Sequence, residues 1–139
     1  MHCYRNSPVT VTPHLASTTV LSQRFGCDVL VNTSDHSFLT SDAPAVIYHL
    51  PRDPKFRMMP RGLGSPGCEI TLPISPRTAL LFRHKQPGLD SYIAADWERV
   101  FEVNFRTITR ASERIISDTA DIFFVKMITD LVAQRESAG

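Results

Sequence analysis

Cysteine is scarce in this chain, and the three present, Cys3, Cys27 and Cys68, form neither an even set nor a close pair. That excludes a disulfide framework and a zinc knuckle, and reduced thiols in a cytoplasm are expected. A long apolar run is also missing, so nothing reads as a membrane span. Residues 1–13 lack the apolar stretch of a secretory signal. Charge of one sign is not in excess: the formal net charge is +1, which gives no global field to steer a polyanion, so nucleic acid is not an expected partner. The five histidines, His2, His14, His36, His49 and His84, show no spacing that brings two ligands to one metal. No metal and no cofactor is expected. Internal repeats and low-complexity tracts are absent too.

What is present is ordinary for a globular domain. A length of 139 residues with 42% apolar and 21% charged content suits one packed core, read as a single domain over 1–139. Val11, Leu15 and Leu21 have a ragged helical period, and Gly26 follows where a helix would end, which predicts a helix over 8–25. Runs at 28–32 and 37–40, separated by the turn-forming Thr33-Ser34-Asp35-His36, read as a hairpin. A third strand is expected over 45–50. Residues 51–67 hold four prolines and three glycines and read as a long loop. Strands follow over 68–72 and 78–83, with a sharp corner at Pro73-Ile74-Ser75-Pro76 because proline cannot complete a ladder.

The clearest element is an amphipathic helix over 94–117, with Asp96 placed to cap it. Trp97, Val100, Phe101, Asn104, Phe105, Ile108, Ala111 and Ile115 form its apolar stripe. Arg99, Arg106, Arg110 and Arg114, matched by nearby acids, read as a solvated flank. A shorter helix is expected over 121–134. The predicted class is α+β: a small antiparallel sheet of about five strands packed by one long helix, with a shorter helix at each end of the sequence.

Two segments carry a family resemblance. Ser37-Phe38-Leu39-Thr40-Ser41-Asp42-Ala43-Pro44-Ala45-Val46 resembles a "FITSDNPV" motif, and Ile70 to Leu81, reading ITLPISPRTALL, resembles "FPLSP" followed by an apolar strand. With Val103-Asn104 in the long helix, the chain is similar over roughly 28–117 to the domain-of-unknown-function family numbered 4238. That resemblance implies no established reaction. Members usually begin with a segment like "HYVPxFYLxxF" that this sequence lacks, which implies a trimmed version of the family's domain, without any activity that the missing part supplies.

The motif segments contain the candidate site. Ser41 and Asp42 leave a strand at its end, where binding groups often sit, although such residues also close turns on their own backbone. Ser75 and Arg77 place a hydroxyl beside a guanidinium, a pair that can hold a phosphate or carboxylate, although Ser-Pro equally marks a local cap. Asn104 lies on the apolar stripe, where a buried amide must anchor backbone or face a ligand. It is expected to reach the Ser41-Asp42 or the Ser75 turn.

The leading expectation is a small ligand-binding or interaction domain whose anion-tolerant site is built from Ser41, Asp42, Ser75, Arg77 and Asn104. Its partner would be a small anionic ligand or a protein. The rival is a hydrolase acting on a phosphate ester or nucleic acid, with Asp42 as general base and Arg77 stabilising charge. A third reading is partner binding through the 51–67 loop, where Arg52, Lys55, Arg57 and Arg61 interleave with Phe56, Met58 and Met59, although basic runs usually face water. Gly62-Leu63-Gly64-Ser65-Pro66-Gly67 matches G-x-G-x-x-G in letters, but a strand follows it, so it is no dinucleotide fingerprint.

Overall fold

The computed structural model describes residues 25–51, 54–56, 61–85, 90–118 and 122–139. The strands are β1 (Phe25–Asn32), β2 (Thr40–Ser41), β3 (Val46–His49), β4 (Cys68–Ser75), β5 (Thr78–His84), β6 (Tyr92–Ala95) and β7 (Ile115–Ile116). The helices are α1 (Trp97–Arg110) and α2 (Ile122–Ser137), with a 3-10 turn at Pro54–Phe56. One sheet has the order β3-β4-β5-β1-β6, and β2 and β7 form a second. The class is α+β, as expected. The larger sheet is mixed: its pairings are antiparallel except between β1 and β6, which run parallel.

Strand alternation explains how the sheet is used. Leu30, Ala79, Leu81 and Ala95 point to one face and meet Val100 and Val103 of α1, with Phe38 closing the cluster. The other side of α1 packs on α2, where Leu39, Ile108 and Ile128 are buried among Phe101, Phe105, Val125 and Val132. Because α1 is covered on two sides, its buried surface is wider than a single stripe. Val103, Arg106 and Thr107 are buried along with Val100, Asn104 and Ile108, while Trp97, expected on the stripe, is half exposed.

Several elements differ from expectation. The 28–32/37–40 hairpin does not form, because β1 is central and takes β5 and β6 as partners. Asn32 instead closes the intervening turn on itself: its Oδ1 accepts from the Ser34 amide at 2.8 Å, and its Nδ2 donates to the His36 carbonyl. The long helix is shorter than 94–117. Its start is fixed by Asp96, whose side chain accepts from the Arg99 amide at 3.0 Å. It stops at Arg110 because Ala111 is extended and Ile115–Ile116 pair with β2. Helix α2 runs to Ser137, three residues past the expected end at 134. The helix expected over 8–25 lies outside the described residues except for Phe25, and Gly26, expected to end it, sits within β1.

Candidate functional site

Asn104 is the pivot of the motif region. It is fully buried, and its amide holds one short stretch of backbone by both ends: Nδ2 donates to the Ser37 carbonyl at 2.9 Å and Oδ1 accepts from the Leu39 amide at 2.8 Å. A helix side chain thereby does for 37–39 what a neighbouring strand would do, and delivers Thr40 and Ser41 to β7. The same stretch is tied to the Pro-Ile-Ser-Pro corner. The Phe38 amide donates to the Pro76 carbonyl at 2.9 Å, the Asn32 amide to the Arg77 carbonyl at 2.9 Å, and Asn32 Nδ2 to Pro76 at 3.3 Å. Asn104 bonds to neither the Ser41-Asp42 nor the Ser75 turn it was expected to reach; it anchors 37–39, the backbone that leads into the first and bonds to Pro76 beside the second.

The hydroxyls and charges of the motifs have local work. Ser41 Oγ accepts from the Ala43 amide at 3.1 Å, and Ser75 Oγ accepts from the Arg77 amide at 3.2 Å. The Arg77 guanidinium donates to the Ser34 carbonyl. Asp42 binds the loop after α1: its carboxylate accepts from the amides of Ser112 at 3.2 Å, Glu113 at 3.0 Å and Arg114 at 3.5 Å. Desolvation pushes the Asp42 carboxyl upward, and these amides outweigh it, so its pKa lies below the usual carboxylate range. A carboxylate so stabilised is a poor proton acceptor.

Between the motifs lies a groove of about 460 Å³. Phe38, Thr40 and Pro44 form one wall, the end of β4 from Leu72 to Ser75 another, and Ile116 to Asp118 the third. It is the wedge between the two sheets. Of the five expected site residues, Ser75 lines it; Ser41, Asp42, Arg77 and Asn104 hold its walls in place without lining it. Its surface is mostly apolar, with Ile74 57% and Ile116 54% exposed. Those values are high for isoleucines in strands.

The family described as "Protein of unknown function (DUF4238)" matches residues 14–121. The chain belongs to the DUF4238 family. The match extends beyond the resemblance read over 28–117 at both ends. No curated protein and no solved structure matches the chain. In this DUF4238 chain both motifs converge on the groove, the first through Phe38, Thr40 and Pro44 and the second through Pro73 to Pro76.

Two charged clusters escaped the sequence reading. Arg106, expected on a solvated flank, is 3% exposed. It donates to Glu69 at 2.9 Å and to Glu102, and its guanidinium lies 4.0 Å from the Tyr48 ring centroid. Its Nε and the Thr71 hydroxyl are buried without a partner among the described residues. At the far end of the sheet Asp28, fully buried, accepts from Arg83 at 2.8 Å, from Ser91 at 2.7 Å and from Lys85. A Cβ at Gly26 would overlap the Lys85 chain, so the missing side chain lets Lys85 cross β1. Alternation with Leu30 and Asn32 was the available signal for Asp28; no local signal exposes Arg106, whose burial depends on β3 and β4.

Among the described residues no group of three metal-binding side chains gathers, and no helix is long and apolar enough to cross a membrane. The fold sets His49 opposite Cys68. That thiol is buried, and burial, then Glu69, pushes its pKa up, which makes it a packing group. The described part of the glycine-rich stretch is a closed turn, with the Ser65 amide donating to the Gly62 carbonyl at 3.0 Å and the Gly62 amide to Ser65 Oγ at 2.9 Å.

Proposed function

We propose that this chain is a binding domain whose site is the apolar groove between the two DUF4238 motifs. One observation carries the reading: the motif side chains that make hydrogen bonds use them to hold the groove walls, while Ile74 and Ile116 face the space between with half their surface open. Polar groups that only fix backbone, around exposed apolar side chains, describe a rigid recognition surface. An apolar ligand suits this lining better than the small anion suggested by Arg77, since Arg77 is bound to Ser34 and Asp118 is the one charged side chain among the described residues lining the groove. The low pKa and triple amide coordination of Asp42 favour a positioning role over general-base hydrolysis.

The test is titration of the protein with the neutral fluorophore Nile red, comparing the parent with Ile74→Lys and Ile116→Lys. Both positions are exposed, so the variants should melt like the parent. Binding should weaken by about tenfold or more in each, equivalent to about 1.4 kcal/mol. Equal binding in all three would remove the groove as the site.

A further inference from the structure

The groove has a feature that a simple apolar cleft lacks. Strand β4 is eight residues long, but β3 pairs only with its first half: Val46 lies opposite Thr71, and β3 begins there. Among the described residues no strand pairs with residues 72–75 on that side, although β5 remains paired on the other as far as Ser75. Pro73 lies within this half, beside a register shift between Pro73 and Ser75. Proline in a sheet is confined to edges and bulges, because it has no N–H to give a neighbour. Among the described residues the distal half of β4 is therefore an edge, and it forms one wall of the groove.

An unpaired edge bordered by apolar side chains is a template for strand addition. The lining also has a sign. Asp118 is exposed and is the one charged side chain among the described residues that line the groove, with no Lys or Arg among them. A carboxylate at the rim, with no cation among the described lining residues, selects a positive group on whatever enters.

We infer that the groove receives an extended, mainly apolar peptide segment bearing a basic residue, which adds as a strand along 72–75 and sets its lysine or arginine against Asp118. The inference rests on the groove being the binding site. Alternate side chains of such a segment lie beside Leu72 and Ile74 on one face of β4, and the others turn to the Pro73 face, on the side where Phe38 packs. Because Pro73 withholds one donor, the added strand is held by fewer backbone bonds than a full ladder, and apolar burial supplies the rest.

The experiment is selection of a phage-displayed library of random short peptides against the full chain, followed by anisotropy titration of the enriched peptides. Expected are sequences with alternating apolar residues and one Lys or Arg. Affinity should fall about tenfold or more in Ile74→Lys, and Asp118→Lys should exchange the basic preference for an acidic one. N-methylation of alternate peptide amides should abolish binding in one register and leave it unchanged in the other. Peptides that bind the groove but tolerate N-methylation in both registers overturn strand addition and leave the binding domain standing. Failure to enrich any peptide, or enrichment indifferent to Ile74→Lys, overturns the peptide inference. In either of those cases the Nile red titration decides separately whether the groove binds at all.

Discussion

Two buried polar residues of helix α1, Asn104 and Arg106, use their chemistry in opposite ways. Asn104 is neutral and bonds only to main chain, at Ser37 and Leu39. Arg106, two residues on, is charged and bonds only to side chains, at Glu69 and Glu102. Both are almost fully buried. The contrast teaches that burial alone does not tell what a polar residue is for. An amide bound to backbone shapes a segment that has no strand partner, and no apolar side chain can replace it. A charged pair between side chains orients two elements and can in principle be exchanged for a well-packed apolar pair.

The largest effect is expected at Asn104. Asn104→Leu keeps the volume but leaves the Leu39 amide and the Ser37 carbonyl buried and unpaired, each costing about 1–3 kcal/mol. A loss of about 4 kcal/mol is expected in urea denaturation, together with loss of Nile red binding, because the wall containing Phe38 is released. A variant that keeps both stability and binding would show that 37–39 is held by its neighbours alone.

Next comes the ion pair. Glu69→Leu alone leaves Arg106 buried with only the half-exposed Glu102 and should cost about 3 kcal/mol. The double variant Glu69→Leu/Arg106→Met should recover most of that loss, since both charges leave together. Recovery in this double variant, with none in any second change added to Asn104→Leu, would establish the contrast by denaturation midpoints. If the double variant is as unstable as the single, the pair holds β4 against α1 in a way apolar packing cannot.

This contrast also explains what could be read from sequence. Asn104 was identifiable because its neighbours at helical spacing are apolar, so an amide there stands out locally. The α+β class, β3, the strands β4 and β5 and α1 were legible for the same reason, since period and turn residues act within a few positions, although β4 runs through Pro73 to Ser75 where a corner was expected. Arg106 was misread because its helical spacing places it among charges, and only the register of β3 and β4 brings Tyr48 and Glu69 over it. The end of α1 was misplaced because Asp42, seventy residues before Ser112 in sequence, binds the amides of 112–114. The groove was legible only in part. The two motifs were recognisable, but the open half of β4 depends on where β3 ends, which no local pattern states.

The smallest effect near neutral pH, and the most informative about charge, concerns Asp28 at the end of the sheet away from the groove. Burial raises the pKa of its carboxyl, but bonds from Lys85 and Ser91 and the charges of Arg83 and Lys85 outweigh that and bring it to about 2, from an ordinary 3.8. As pH falls below about 4 the unfolded chain takes up this proton before the folded one does, so protonation favours unfolding. The stabilisation is therefore complete above the ordinary value and lost progressively as pH falls towards 2. Asp42 and Glu102, whose pKa values are also lowered, act in the same direction. Denaturation midpoints between pH 2 and pH 6 should thus drop steeply in the parent. Asp28→Asn should be less stable at pH 6 but flatter across that window, whereas Asn104→Leu should move the whole curve down without changing its slope. An Asp28→Asn profile parallel to the parent would mean that the buried carboxylate does not titrate with folding, and that Arg83 and Lys85 are held by solvent instead.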